Sequence, residues 1–182
     1  DRTLIPGYSQ QPLFDAYDVD ARVFWAEVKA LGKYYEDRGV TVGADTAYLI
    51  HMLTYVEHGI FKDLTNTRLR ELGGEIPLCP GMPDFMQHTK DFVASTPRYQ
   101  HHELTVEHYI ISTGLTPLVE GSAVGALSDG IWANSFVDRP PPPGFPAQPD
   151  APVGDEGPIA QVGFMIDNTS KTRAVFEINK GP

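Results

Sequence analysis

The hydrophobic positions in the first part of the chain repeat with the period of an α-helix. Apolar side chains recur three and four residues apart over residues 12–38 and again over residues 45–55, which places them on one face of a helix. Asp20 precedes the second of these helices and can cap it, because a carboxylate accepts hydrogen bonds from the free N–H groups of a first turn. A shorter helix is predicted over residues 67–72, where Gly73-Gly74 ends it.

After residue 76, extended runs alternate with helical spacing. The predicted helices cover residues 82–92, 115–119 and 171–179, the last with Ser170 as its N-cap, and the predicted strands cover residues 106–111, 130–137 and 159–166. Alternating strands and helices are typical of a parallel sheet with helices on both faces, in which ligands bind beyond the carboxyl ends of the strands. We therefore predict an α/β fold with a three-layer, Rossmann-like parallel core and an inserted helical cap.

Composition and charge restrict the partners. The 182 residues are 41% hydrophobic and carry a formal net charge of -10, enough apolar content for one core with a modest insertion. The negative field repels nucleic acid and anionic lipid, and no basic patch reverses it, so neither partner is predicted. No apolar stretch approaches the ~18 residues of a membrane span. Any phosphate ligand therefore needs a local cation.

The cysteine content and the ends of the chain lead to two further expectations. The single cysteine, Cys79, cannot close an intrachain disulfide, which favours a reducing compartment and a cytoplasmic protein. The chain begins with Asp1 rather than Met and ends abruptly at Pro182. We expect it to be an internal piece of a longer protein.

Three short polar signals lie at the ends of predicted elements, where the fold would bring them together. They are Asp1-x-Thr3 after an apparent strand, Ser112-Thr113-Gly114 after another, and Lys171 at the start of a late helix. A hydroxyl with free amides can bind one phosphate oxygen, a lysine can neutralise a second, and an acid can transfer the proton of the leaving group. Together these signals predict a site for phosphoryl transfer.

The same segments resemble a known superfamily. Asp1-Arg2-Thr3-Leu4 resembles the second half of the Asp-x-Asp-x-Thr signature of haloacid dehalogenase-like hydrolases, and Ile110-Ile111-Ser112-Thr113-Gly114 is similar to their second motif. Lys171 resembles the third motif, and residues 78–85 resemble the turn and helix that lead from cap to core. Order and spacing agree across nearly the whole chain.

The resemblance implies a division of the chain and a reaction. Residues 1–7 and 77–182 would form the hydrolase core, and residues 8–76 the helical cap. The implied enzyme is a Mg²⁺-dependent phosphatase of a small phosphorylated metabolite, acting through an aspartyl-phosphate on a residue two positions before Asp1. Asp1 would be the general acid and base and would bind Mg²⁺ through its carbonyl, while Thr3 would join the substrate-binding residues.

The remaining roles follow from the same resemblance. Ser112 would donate to the transferring phosphoryl group, with the amides of Thr113 and Gly114 as supporting donors. Lys171 would hold nucleophile and phosphate together, and Lys180 competes with it for this role. The fourth motif, an acidic pair that completes the Mg²⁺ shell, has no match in the chain. We therefore expect these 182 residues alone to be catalytically silent.

Each of these site residues also has a simpler interpretation. Asp1 could be a solvated chain end, Ser112-Thr113-Gly114 an ordinary turn, and Lys171 and Lys180 surface lysines. The rival function is a non-catalytic binding protein that keeps the cleft and lacks the nucleophile. An Asp two positions before Asp1, preceded by an apolar run, would favour the enzyme.

Overall fold

The computed structural model describes residues 3–141, 143–144 and 157–180. Within these ranges helices are the main elements, with a small sheet in the second half of the chain. The elements are α1 (Gln11–Ala16), α2 (Ala21–Glu36), α3 (Ala44–Glu57), α4 (Asn66–Gly73), α5 (Asp84–Ser95), α6 (Pro97–His101), β1 (Tyr109–Leu115), α7 (Thr116–Gly121), a 3-10 turn (Gly125–Leu127), β2 (Gly130–Val137), β3 (Gln161–Phe164) and α8 (Lys171–Lys180). No helix in the described ranges is both long enough and apolar enough to cross a bilayer.

The helices of the first part begin at polar caps. The carboxylate of Asp20 accepts a hydrogen bond from the backbone N–H of Arg22 at 2.8 Å, at the start of α2. The hydroxyl of Thr65 accepts one from the N–H of Arg68 at 3.0 Å, at the start of α4. These bonds satisfy N–H groups that have no partner inside the helix. The prediction of helices over the first part of the chain, including the cap at Asp20, is confirmed.

The sheet is smaller than predicted and it is mixed. Its order is β1-β2-β3, with β1 parallel to β2 and β3 antiparallel to β2. The prediction of a three-layer, Rossmann-like parallel core with helices on both faces is therefore wrong. Parallel neighbours need a long crossover, usually a helix. α7 supplies one between β1 and β2.

The core is centred on aromatic side chains of the first four helices. The rings of Phe14 and Phe24 lie 5.0 Å apart between centroids, and both side chains are buried together with Phe61. The same cluster of buried side chains continues into the sheet half of the molecule at Leu115 and Phe136. Burial of each such side chain stabilises the fold by about 1.5–3 kcal/mol. The division into residues 8–76 as cap and the rest as core stays a prediction.

Helices α4 and α7 pack backbone against backbone. A Cβ atom on Gly121 would overlap the carbonyl of Arg70, and one on Gly73 would overlap the carbonyl of Leu118. Only glycine at both positions allows the two helices to approach this closely. Because α7 follows β1 directly, this contact also fixes the end of β1 against the helical part.

Candidate functional site

A cleft of about 290 Å³ lies between the first described residues, β1 and the start of α8. We call it the serine cleft. Apolar residues such as Ile5 and Ile111 form much of its wall. Its polar lining residues are Thr3, Ser9, Tyr109, Ser112, Ser122 and Lys171.

Three residues predicted from the sequence meet in the serine cleft. Thr3, Ser112 and Lys171 all line it, although they are far apart in the chain. Asp1, the predicted acid and metal ligand, lies outside the described residues. Lys180 lies at the other end of α8, about 13 Å from Lys171 along the helix axis, and its ammonium is 5.1 Å from the centroid of the exposed Phe176 ring. Of the two lysines, the structure places Lys171 in the cleft.

Ser112 lies inside β1 and not at its end. The strand continues to Leu115, so the prediction that it stops before Ser112 is wrong. Ile111 pairs with Trp132 and Leu115 with Asn134, so β1 has two more residues than β2 over this stretch and bulges. Inside the bulge the buried Ser112 Oγ accepts a hydrogen bond from the N–H of Gly114 at 3.0 Å. This bond orients the hydroxyl oxygen of Ser112.

Gly114 occupies the point at which two serine hydroxyls converge. A Cβ atom there would lie 2.7 Å from Ser9 Oγ, which is too close for carbon and oxygen, and 3.1 Å from Ser112 Oγ, which is a tight contact. The N–H of Gly114 is bonded to Ser112, so it supports the hydroxyl instead of facing a ligand. Sequence reasoning missed Ser9, since nothing near Pro6-Gly7 marks it and only the fold brings it to β1.

A buried polar network holds the bulge in place. The carbonyl oxygen of Thr113 accepts hydrogen bonds from the Tyr48 hydroxyl at 2.7 Å and from Asn134 Nδ2 at 2.6 Å. Asn134 is fully buried, and its Oδ1 accepts the N–H of Ile166 at 2.7 Å. Burial raises the pKa of Tyr48, which keeps its hydroxyl a neutral donor. Thr113 itself lines a second cavity and not the serine cleft.

A tight turn before α8 positions Lys171. The Asp167 carboxylate accepts the N–H of Ser170 at 2.6 Å, and Ser170 Oγ accepts the N–H of Asp167 at 2.7 Å. The bonds that the Ser170 N–H and the Ser170 hydroxyl donate to the carboxylate hold the pKa of Asp167 below its usual value. α8 begins at Lys171 as predicted. The Ser170 side chain, predicted to cap the helix, instead bonds back to Asp167.

The charge of Lys171 acts on a nearby carboxylate, Asp45. The pKa of Asp45 is raised, chiefly by burial and further by the negative charge of Asp167. The ammonium of Lys171 lowers this pKa and so opposes the shift. Lys171 is half-buried. A cation that is partly removed from water interacts more strongly with an anion than one on the surface.

The described part of the serine cleft does not suit Mg²⁺. It offers hydroxyls and an ammonium and contains no carboxylate. The described residues also contain no group of three His, Cys, Asp or Glu that could hold a metal ion. Mg²⁺ prefers carboxylate and other hard oxygen ligands. The metal ligand implied by the resemblance, Asp1, lies outside the described residues, and no step through a metal follows from the described geometry.

Sequence similarity relates the chain to a bacterial protein. An uncharacterized protein of Borreliella burgdorferi is 32% identical over all 182 residues, and the chain spans 62% of its length. No protein-family model matches the chain, and no solved structure matches it. The arrangement of the serine cleft is therefore the basis for a functional assignment.

Proposed function

We propose that the chain binds the phosphate of a small phosphate monoester in the serine cleft, as part of a phosphohydrolase of the haloacid dehalogenase-like type. One observation carries the proposal. Thr3, Ser112 and Lys171, three of the site residues predicted from the sequence, line the same cleft. Its volume of about 290 Å³ is at the lower end of the range for small-ligand pockets, which favours a compact metabolite.

The chemistry of the lining suits an oxyanion. The ammonium of Lys171 supplies the local cation that an anionic ligand needs in a chain with a net charge of -10. The hydroxyls of Ser9 and Ser112 lie beside Gly114. Ser9 donates to Gln10 Oε1 at 3.4 Å, so Ser112 is the hydroxyl that can donate to a phosphate oxygen. Donors that are already oriented stabilise developing charge without reorganising during the reaction.

Hydrolysis itself rests on the resemblance. In this proposal the general acid is the carboxylate of Asp1, and the nucleophile is a carboxylate two positions before it. The Mg²⁺ requirement is likewise implied by the resemblance. In this proposal the described residues of the serine cleft bind the phosphate group. A cytoplasmic location, expected from the single cysteine, belongs to the same proposal.

Calorimetric titration of the 182-residue chain with inorganic phosphate or tungstate tests the binding step. We expect saturable binding that weakens at least about tenfold in Ser112→Ala and in Lys171→Ala, since a hydrogen bond to a charged group contributes about 1.5–3 kcal/mol. Lys180→Ala is the matched control, because it removes the same charge from the other end of α8. Absence of binding, or an equal loss in Lys180→Ala, contradicts the proposal.

A second experiment separates the hydrolase from a non-catalytic binding protein. The full-length gene product is incubated with a panel of phosphorylated metabolites and Mg²⁺, and phosphate release is compared between wild type and Asp1→Asn. Turnover that is lost in Asp1→Asn supports the hydrolase. Phosphate binding without turnover in the wild type supports the binding protein.

A further inference from the structure

A second cavity of about 440 Å³ lies between α2, α3 and the Tyr8–Gln10 segment. Three of its lining residues are aromatic: Tyr8, Trp25 and Tyr48. The centroid of the Trp25 ring lies 5.8 Å from that of Tyr8 and 5.8 Å from that of Tyr48. We call it the aromatic cavity, because these rings form a continuous wall with Trp25 in the middle.

A carboxylate lines the same cavity. Asp45, in the first turn of α3, is half-buried. Among the described residues it makes no ion pair within 4 Å, and the nearby Asp167 adds a second negative charge. Burial and the charge of Asp167 raise the pKa of Asp45, and the ammonium of Lys171 opposes them only in part, so a bound cation in the cavity would further stabilise the carboxylate.

We propose that the aromatic cavity is a binding site for a small organic cation, specifically a quaternary or substituted ammonium group. Aromatic faces attract such cations through the ring quadrupole, and partial removal from water strengthens the attraction. The Asp45 carboxylate adds a direct charge interaction. This combination of rings and one acid favours an ammonium over a neutral alcohol or an anion.

The positive charge of one lining residue, Lys29, would repel a bound cation. Lys29 also lines the cavity, and its side chain is exposed. A long flexible ammonium at a rim stays in water, where solvent and salt screen its repulsion. Replacing Lys29 therefore gives a variant in which cation binding should stay equal or tighten.

Choline and its neutral isostere 3,3-dimethylbutan-1-ol provide the test, because they have nearly the same shape and differ in charge. The chain contains two tryptophans, so Trp132→Phe leaves Trp25 as the fluorescent reporter. We expect a saturable change of Trp25 emission with choline and at least about tenfold weaker binding of the isostere. Equal binding of both ligands, or no saturable change with choline, overturns the proposal.

Three variants locate the site, with the choline methyl signal in proton NMR as a second readout. Asp45→Asn and Trp25→Leu should each weaken choline binding at least about tenfold, and Lys29→Gln should leave it equal or tighter. Asp45→Ser keeps an oxygen acceptor in the first turn of α3 and replaces Asp45→Asn if that variant does not fold. Unchanged binding in the Asp45 and Trp25 variants overturns the assignment.

Phosphocholine distinguishes two sources of the cation. If the cation belongs to the ester held in the serine cleft, phosphocholine binds more tightly than choline and Ser112→Ala removes the difference. If it is a separate molecule, the two ligands bind equally and Ser112→Ala has no effect on either. Choline binding does not require the proposed phosphate site, so failure of one proposal is visible independently of the other.

Discussion

Asn134 Nδ2 lies 2.6 Å from the carbonyl oxygen of Thr113, at the centre of the β1 bulge. The other end of the same amide accepts the N–H of Ile166 at 2.7 Å. One buried side chain therefore ties the strand that carries Ser112 to the segment that leads to Lys171. The shape of the serine cleft depends on this link.

We expect Asn134→Ala to lower the free energy of unfolding by about 2–3 kcal/mol, because it leaves the N–H of Ile166 without its partner in the interior. Tyr48→Phe removes one hydroxyl of the same network and should cost about 1 kcal/mol. Urea unfolding of both single variants and the double variant measures these losses. Since the side chains contact each other, the losses should not add, and strict additivity would contradict a shared network.

Gly114→Ala should damage both the fold and the serine cleft. The new Cβ would lie 2.7 Å from Ser9 Oγ and 3.1 Å from Ser112 Oγ, and such overpacking costs about 1–3 kcal/mol. Phosphate binding should weaken with it, because both hydroxyls must move. Gly32→Ala in α2 is the control, since its Cβ would meet no atom within 4 Å other than those of its chain neighbours and of the backbone of its own helix. It should raise the free energy of unfolding by about 0.5–1 kcal/mol, and equal effects at the two positions would contradict the described geometry.

Glu27 links folding stability to pH. Its carboxylate accepts hydrogen bonds from the Tyr55 hydroxyl at 2.6 Å and from His51 at 2.7 Å, and these lower the pKa of Glu27. A lowered native pKa gives stability that is present above the unfolded value, about 4.3, and is lost as the pH falls through the native pKa. We expect Glu27→Gln to flatten the acid limb of the stability curve measured by urea unfolding. Glu36→Gln, an exposed acid of the same helix, should follow the wild type.

Phe24 should be the costliest aromatic side chain to truncate. It is fully buried, and its ring lies 5.0 Å from Phe14 and 5.1 Å from Tyr55 between centroids. Phe24→Ala should lower the free energy of unfolding by about 3–5 kcal/mol, because it leaves a cavity that its neighbours cannot fill. Phe92→Ala removes a ring that is 61% exposed and should change stability by less than about 0.5 kcal/mol.

The amino-acid sequence by itself determined the elements whose signals are local. The helical period and Asp20 marked α2, an extended run from Gly130 to Val137 marked β2, and the start of α8 at Lys171 was predictable from the residues around it. Periodicity and capping depend on residues within a few positions of each other, so one segment is enough to reveal them. Thr3, Ser112 and Lys171 were predicted from the sequence as site residues, and their phosphate-binding role stays a prediction.

Only the tertiary structure decided how these segments combine. It made β3 antiparallel, extended β1 through Ser112 into a bulge, brought Ser9 beside Gly114, and gave Asn134 its bonds to Thr113 and Ile166. In the sequence, Asn134 is simply a polar residue in a strand. The direction of a strand and the partner of a buried amide depend on contacts between residues that are far apart in the chain, and no local pattern records those contacts.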